Sequence, residues 1–222
     1  MHKGKIRVMF NDKPQRRVIR VNNEALEVVE EYNYLGQILK LLRDNEPEIK
    51  RRIPLGWKAF GRRSKILKSS LPICLKRKVY NQCVLPTTIH GSETWKPTIP
   101  MKNKLRSAQR GMKRSMLGIS LRDKKKSSWI RENTRVKDLL VAIKKQKWRW
   151  AGPVAKRDDN RWNKRLTDWT PRESKRDRRR PDRRWRDEIE KAAGATWQRL
   201  ARSRESWKRL REAFVQQWTV NG

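Results

Sequence analysis

The segment KWRWAGPVAKRDDNRWNKRLTDW, residues 147 to 169, opens the stretch from Lys147 to Trp218 that decides how this chain folds. Large apolar rings set among so many arginines and lysines predict either a small core built on tryptophan or flat surfaces on which unpaired bases stack. Both interpretations stay open from the pattern alone. The stretch holds eight of the eleven tryptophans of the chain: Trp148, Trp150, Trp162, Trp169, Trp185, Trp197, Trp207 and Trp218.

The composition points to a polyanionic partner. Among 222 residues there are 59 lysines and arginines against 23 aspartates and glutamates, a formal net charge of +36. So large a charge repels itself unless a polyanion screens it, whereas small domains carry a net charge of roughly 2 to 8. The sequence therefore predicts RNA and DNA as partners, contacted mostly through the phosphate backbone, and no membrane partner. Nothing in it indicates an oligomeric state.

The pattern predicts a mainly α-helical protein with a small β region near its start. Two β-favouring runs, Val18 to Val21 and Leu26 to Val29, flank an Asn22-Asn23 pair that tolerates positive φ, which is typical of a hairpin. Three regions follow from the changes in pattern. Residues 1–44 hold the hairpin, residues 45–156 form a helical bundle, and residues 157–222 form a basic, tryptophan-rich helical region with a linker at 172–184.

Prolines set the first predicted helix boundaries. A helix begins after Asn45 and is kinked or restarts at Pro54, because an internal proline removes one backbone hydrogen bond. The next helix begins at Pro72, and its apolar side ends at Pro86, where we expect the helix to stop.

The later helices are bounded by cap residues and prolines. One runs from Pro100 to Leu117, with Gly118 as a left-handed cap. Thr134 is predicted to cap another, which Pro153 ends. After a stop at Gly194, a final helix is predicted to carry one continuous apolar face: Trp197, Leu200, Ala201, Trp207, Leu210, Phe214 and Trp218.

The residues suited to catalysis do not assemble into a recognisable active site. Asp158-Asp159 is the one Asp-Asp doublet, but basic residues flank it, and a two-metal polymerase site needs a further carboxylate opposite a rigid strand turn. Cys74, Cys83 and His90 lack the close spacing of a zinc clip. On one helix the two cysteines are out of disulfide geometry, which predicts a reduced, intracellular setting. We therefore expect no catalytic residue, no metal and no cofactor.

Short motifs follow one another along almost the whole chain. They are Tyr32-Asn33-Tyr34-Leu35-Gly36-Gln37, Arg52-Ile53, Gly56-Trp57-Lys58-Ala59-Phe60-Gly61, Asn81-Gln82-Cys83-Val84-Leu85-Pro86, Gly91-Ser92-Glu93-Thr94-Trp95, Met116-Leu117-Gly118, Trp150-Ala151-Gly152, Arg161-Trp162, Trp169-Thr170-Pro171-Arg172, Arg180-Pro181 with Arg184-Trp185, and Gln216-Gln217-Trp218. In content and order this series resembles the thumb and C-terminal domain of reverse transcriptases from non-LTR, LINE-type retrotransposons, especially the RTE-like clade.

The resemblance implies a set of contacts with template and primer. Tyr34, Leu35 and Gly36 match the hairpin that grips the primer end in such enzymes, so residues 1–44 would include the end of the palm. The helices after Asn45 match the thumb that closes on template and primer. The resemblance also implies that the fingers, the palm with its aromatic-x-Asp-Asp motif and the endonuclease would lie before Met1. The chain is therefore expected to bind nucleic acid and not to be an enzyme by itself.

Four positions depart from the family pattern. His90 stands where Tyr is usual, Pro153 where His is usual, and Arg179 where Gly is usual before Arg-Pro. Pro54 lies inside a helix that is usually unbroken. Together these departures indicate a copy drifting away from selection on the full element.

The predicted nucleic-acid contacts combine the three residues that match the primer-gripping hairpin, a set of basic residues and two tryptophans. Trp162 and Trp169 have few aliphatic neighbours, which suits base stacking, whereas Trp207 is in step with other apolar residues and suits a core. The full set is Tyr34, Leu35, Gly36, Lys50, Arg51, Arg52, Arg62, Arg63, Lys76, Arg77, Lys78, Trp162, Trp169, Arg178, Arg179, Arg180, Arg183, Arg184 and Arg186.

Three hypotheses about function remain open from the sequence. The first is a nucleic-acid-binding fragment of a reverse transcriptase that lacks the polymerase active site. The second is the C-terminal portion of an active RNA-directed DNA polymerase whose gene model was cut short, and the third is a non-functional genomic relic. A nucleic-acid partner and a retrotransposon origin would both place the protein inside the cell, in the nucleus.

Overall fold

The computed structural model describes residues 6–10, 18–21, 23–34, 37–40, 46–157, 167 and 185–216. Helices dominate these residues and the strands lie near the N-terminus, which confirms the predicted fold class. The chain divides into two compact units, Met1–Arg51 and Arg52–Gly222. The predicted region boundaries at residues 44 and 156 stay predictions, and the linker at 172–184 lies outside the described residues.

Short strands form the β region of the N-terminal unit. The strands are β1 (Arg7–Val8), β2 (Arg20–Val21), β3 (Glu24–Ala25), β4 (Glu27–Val28), β5 (Glu31–Tyr34) and β6 (Gln37–Lys40). β2 and β3 pair antiparallel, and Asn23 between them has a φ of 64°, which confirms a hairpin turn at the Asn pair. Its second strand begins earlier than predicted, and β4, within the predicted run Leu26 to Val29, pairs with β1 in parallel instead. β5 pairs with β6 antiparallel.

The first helix, α1 (Glu46–Gly61), continues through Pro54, so it does not restart at this proline. Pro54 is exposed. On an exposed face, water can satisfy the carbonyl that lacks an amide partner, which lowers the cost of the missing hydrogen bond. Near the start of α1, the buried carboxylate of Glu48 accepts hydrogen bonds from the Ile38 amide, at 2.9 Å, and from the Arg51 guanidinium.

The predicted stop at Pro86 is wrong, because the chain stays helical across it. After α2 (Ser64–Leu67), helix α3 (Ile73–Val79) passes into a π-helical turn (Tyr80–Val84) and then into α4 (Leu85–Ile89). Pro86 has no N–H to donate, but it lies in the first turn of α4, where an N–H need not have a partner. The wider π turn before it absorbs the change in hydrogen bonding.

Three longer helices follow a short 3-10 turn (Ser92–Thr94): α5 (Ile99–Leu117), α6 (Ser127–Thr134) and α7 (Leu139–Lys156). Gly118 ends α5 with a φ of 67°, as predicted.

The predicted limits of α7 are wrong at both ends. Thr134 ends α6, and the carboxylate of Asp138 caps α7 by accepting hydrogen bonds from Leu140 N and Val141 N at 2.9 and 3.1 Å. An aspartate satisfies the first amides and also adds a negative charge at the positive end of the helix dipole. Pro153 is exposed inside α7 rather than at its end.

Residues 185–216 include three helices: α8 (Asp187–Ala193), α9 (Trp197–Arg202) and α10 (Arg204–Gln216). Gly194 ends α8 with a φ of 77°, as predicted. The predicted single final helix is wrong, because the helix is interrupted at Ser203, between α9 and α10. The Ser203 carbonyl accepts from Trp207 N at 3.0 Å, and its hydroxyl accepts from Ser206 N at 3.3 Å. Serine at this position caps α10 instead of continuing α9.

A stacked pair of indoles lies at the centre of the C-terminal unit. The rings of Trp148 on α7 and Trp207 on α10 are 3.9 Å apart at an angle of 11°. Each indole N–H donates to the backbone carbonyl of the other residue, at 3.0 Å from Trp148 and 3.2 Å from Trp207. The tryptophan core, as we call the cluster around this pair, comprises Trp148, Ala151, Ala155, Ile189, Ala193, Trp197, Ala201, Trp207 and Phe214.

The core interpretation of the opening stretch is confirmed for three of its tryptophans. Trp148, Trp197 and Trp207 are buried, and Trp150 and Trp185 are half-buried. Burying one aromatic side chain removes roughly 150–250 Å² from water, worth about 4–6 kcal/mol at ~25 cal/mol per Å². These three side chains therefore contribute strongly to apolar burial in the C-terminal unit. Trp162, Trp169 and Trp218 lie outside the described residues.

Gly152 allows the indole pair to approach α7. A β-carbon at this position would lie 2.6 Å from Nε1 of Trp207 and 2.9 Å from its Cδ1. No side chain fits in that space while the Trp207 N–H remains bonded to Trp148 O. The glycine is therefore required by close packing rather than by its own backbone conformation.

Several lysines are buried beside the tryptophan core. Lys147 and Lys102 both approach the carboxylate of Glu188, with N–O distances of 2.8 and 3.9 Å. Lys144 donates to the Phe214 carbonyl at 2.8 Å, and its Nζ lies 4.8 Å from the centre of the Phe214 ring. Burial lowers the pKa of Lys144 to about 7, although Glu188 acts in the opposite direction. Burial also lowers the pKa of Lys147.

We predict that Gly152→Ala lowers the free energy of unfolding by about 1–3 kcal/mol, because the added methyl group must displace Trp207. Thermal and urea unfolding measure the change. Gly61→Ala is the matched control, since a β-carbon there meets no atom within 4 Å at the end of α1. The control should leave stability unchanged or raise it by up to about 1 kcal/mol. Equal losses in both variants would contradict the packing role of Gly152.

The lowered pKa of Lys144 predicts a pH dependence of stability. Between pH 7 and 10.5, the unfolded chain holds this proton and the folded chain does not, so the free energy of unfolding rises with pH. Wild type should therefore gain stability relative to Lys144→Met across that window, by at most about 1.4 kcal/mol per pH unit. Urea unfolding at a series of pH values measures the difference. Because the variant keeps every other titratable residue, the comparison isolates Lys144. Parallel curves would contradict this prediction.

Candidate nucleic-acid interface

The predicted basic residues of α1 differ in exposure. In the N-terminal unit, Lys50 is exposed and pairs with Glu46 at 3.3 Å, and half-buried Arg51 pairs with Glu48 at 3.1 Å. Arg52, in the other unit, is 5% exposed. A phosphate could reach Lys50 readily, whereas Arg52 is largely covered by the protein.

The predicted basic residues between α1 and α4 divide in the same way. Arg62, Arg63 and Lys78 are exposed, and Arg77 is half-buried. Lys76 is buried, and its Nζ donates to the Met116 carbonyl at 3.1 Å. That hydrogen bond gives Lys76 a structural role at the end of α5.

Of the remaining predicted contacts, only Tyr34 and Arg186 fall within the described residues. Tyr34 ends β5, and its backbone alone is described. Arg186 is half-buried and pairs with Glu190 at 3.2 Å. The others lie outside the described residues: Leu35, Gly36, Trp162, Trp169, Arg178, Arg179, Arg180, Arg183 and Arg184.

A basic cleft lies between α5, α6 and the first turn of α7. Its volume is about 410 Å³, and four cationic side chains and one carboxylate line it among the described residues. Arg106, Arg110 and Lys113 come from α5, Arg131 comes from α6, and the carboxylate is the capping Asp138. The excess of positive charge favours an anion.

Two arginines on α5 line this cleft, and neutral groups bind their N–H donors only weakly. Arg106 and Arg110 are one helical turn apart on the same face. Each makes a long hydrogen bond of 3.5 Å, to Asn103 Oδ1 and to Ser127 Oγ respectively. A guanidinium carries five N–H donors, so one long bond leaves most of them for a phosphate.

Buried polar groups hold the floor of the cleft in place. Gln109 is 4% exposed, donates to the Lys137 carbonyl at 2.8 Å and accepts from Leu139 N at 3.2 Å. Burial lowers the pKa of Lys113, Asp138 raises it, and Arg131 lowers it again. The cleft is therefore anchored at its base by a fixed amide and a desolvated ammonium group.

Sequence reasoning missed the residues of this cleft. It favoured dense basic runs, whereas Arg106 and Arg110 are separated by three neutral residues, and Arg131 lies on another helix and joins them only when α5 packs against α6. The spacing of Arg106 and Arg110 was a usable signal, because residues four apart share a helix face.

Neither a metal site nor a membrane-spanning helix is found in the described ranges. No group of three His, Cys, Asp or Glu side chains there is placed to hold a metal ion. None of the described helices is long and apolar enough to span a bilayer. Cys74 is exposed, Cys83 is half-buried, and both are free thiols.

We predict that Arg106→Gln/Arg110→Gln weakens binding of an oligonucleotide and lowers the slope of log affinity against log salt by about 2, because two phosphate contacts are lost. Fluorescence anisotropy at several salt concentrations measures the slope. Lys208→Gln/Arg209→Gln, which removes two exposed charges from α10, is the matched control. If the control changes the slope as much as the cleft variant, the cleft is not a preferred phosphate site.

Comparisons with known proteins give one informative relative. No family model matches the chain, and no solved structure matches it. Over 195 residues the chain is 32% identical to an uncharacterized transposon-derived protein of Caenorhabditis elegans, an alignment that covers 82% of this chain and 70% of that protein. Identity of this extent over most of both chains reflects common descent. The chain therefore belongs to this family of transposon-derived proteins.

Proposed function

We propose that this chain is the thumb and C-terminal part of a non-LTR retrotransposon reverse transcriptase of the RTE-like type, and that it binds RNA and DNA through the phosphate backbone. The observation that carries the binding proposal is the cleft between α5 and α6, where four cations face one carboxylate. Its arginines offer planar donors suited to phosphate oxygens. The formal charge of +36 makes a polyanion the natural partner of the whole chain.

The reverse-transcriptase origin has three lines of support. The ordered motifs from Tyr32 to Trp218 resemble that family along almost the whole sequence. The relative from Caenorhabditis elegans is transposon-derived, and retrotransposons are one class of transposon. A helical unit that follows a small β region is also consistent with a thumb after the end of a palm.

We propose that the chain does not extend a primer by itself. Its Asp158-Asp159 doublet is flanked by Lys156, Arg157, Asn160 and Arg161, which disfavours a two-metal site. An active polymerase that includes this chain as its C-terminal portion is the alternative. Template-dependent nucleotide incorporation by the purified chain, abolished by Asp158→Asn/Asp159→Asn, would overturn our proposal. An in-frame aromatic-x-Asp-Asp motif encoded upstream of the codon for Met1 would support the alternative.

The proposed function predicts tight binding that salt weakens strongly. If ~6–10 phosphates are neutralised, affinity for a template–primer hybrid should fall by about 10³–10⁵ between 50 and 200 mM salt. Sequence changes in the hybrid should alter affinity little, since phosphate contacts carry no sequence information. Anisotropy titrations with two unrelated hybrids test both points. An affinity that barely changes with salt, or no binding at low salt, would contradict the proposed function.

A further inference from the structure

A second concave surface lies beside α7 and differs in character from the basic cleft, although Asp138 and Val141 line both. This α4–α7 groove has a volume of about 860 Å³ and runs between the π turn with α4 on one side and α7 on the other. It extends along α7 from Val141 to Arg157. At 1.5 Å of rise per residue, that length is about 24 Å, enough for several nucleotides.

The floor of the α4–α7 groove is apolar. Leu85, Pro86 and Ile89 contribute to this floor from α4, and Pro153 and Val154 contribute to it from α7. Pro86 and Pro153 are exposed there, whereas Leu85 and Val154 are almost fully covered. Apolar side chains in a groove favour a ligand with its own apolar faces.

Cations on α7 border this floor. Lys145, Arg149 and Arg157 are exposed. Lys145 and Arg149 are four residues apart, about 6 Å along the helix axis, and Arg157 follows eight residues later, about 12 Å further on. The shorter spacing is similar to the separation of neighbouring phosphates in a nucleic-acid strand. Two carboxylates also line the groove, but Asp138 caps α7 and Glu93 accepts from Gln146 at 2.8 Å. With Lys137, four cations in the described part of the chain line the groove against these two carboxylates, so its net charge is positive and complementary to a polyanion.

An indole held at a fixed angle completes the groove. Trp150 is half-buried, and its ring meets the ring of Trp185 edge to face, with centroids 5.2 Å apart at 80°. Trp185 is in turn fixed by its N–H, which donates to the Glu93 carbonyl at 2.7 Å. Because Trp150 is oriented by its neighbour and is partly exposed in the groove, one part of its surface is available to stack.

We propose that the α4–α7 groove binds a single-stranded segment of RNA or DNA. The bases lie against Trp150 and the apolar floor, and the phosphates contact Lys145, Arg149 and Arg157. A duplex presents its backbone outward and keeps its bases stacked internally, so it would leave the apolar floor uncovered. This inference rests on the proposed function and adds to it a site that prefers unpaired strands.

Photocrosslinking tests the position of the strand. A short oligouridylate carrying 5-iodouridine is irradiated with the full chain, and the crosslinked peptides are mapped. We expect crosslinks to Trp150 and to the residues of α4 that face it. Crosslinks confined to peptides outside residues 81–93 and 137–157 would overturn the proposal.

Charge removal tests the strand preference. Lys145→Gln/Arg149→Gln should lower affinity for the oligouridylate at least about fivefold more than the control Lys208→Gln/Arg209→Gln, whereas the two variants should bind duplex RNA alike. Circular dichroism and thermal unfolding confirm that each variant is folded. If the groove pair affects single and double strands equally, the groove does not select unpaired strands.

The outcomes separate this inference from the proposed function. If wild type binds neither single strands nor hybrids at low salt, the proposed function itself fails. If wild type binds both but the groove variant matches the control, only the groove inference fails. Displacement of an acidic amphipathic peptide from the groove, with no competition by oligouridylate, would assign the surface to a protein partner and also overturn the inference.

Discussion

The reciprocal contact between Trp148 and Trp207 is the interaction on which the C-terminal unit depends. The two residues are 59 positions apart, and each indole satisfies its N–H on the backbone of the other. Stacking, burial and two hydrogen bonds therefore act at one place and join α7 to α10. Gly152 has no side chain because Trp207 occupies that space.

The second constraint is the burial of lysine side chains in a chain whose formal net charge is +36. Lys102 and Lys147 converge on Glu188, so this carboxylate on α8 stabilises ammonium groups from both α5 and α7. Lys144 instead uses the Phe214 carbonyl and ring. Removing one partner from such a set leaves a buried charge uncompensated, which costs more than the pair contributes.

Helix α7 connects this core to the two candidate surfaces. One face carries Trp148 and Ala151 into the tryptophan core. Its first turn closes the basic cleft through Asp138, and its exposed side, with Lys145 and Arg149, borders the α4–α7 groove. The helix that is most strongly fixed by packing therefore positions both surfaces, which suits sites whose geometry must be kept.

The sequence alone determined the fold class, the hairpin at Asn23 and the helix ends at Gly118 and Gly194, because these depend on local backbone preferences and short-range periodicity. It also determined the sign and size of the charge, and hence the class of partner that we propose. It misjudged Pro86 and Pro153, since the cost of a proline depends on whether water or a wider turn accommodates it.

Only the tertiary structure decided which basic residues are available to a ligand. Lys76 and Arg52 lie in basic runs that read as surface, yet both are buried, whereas Arg106, Arg110 and Arg131 are separated in the sequence and line one cleft. The pairing of Trp148 with Trp207 could likewise not be predicted from the sequence. Periodicity shows which face of a helix is apolar, but contacts between distant helices depend on how those faces pack, and no local pattern encodes that choice.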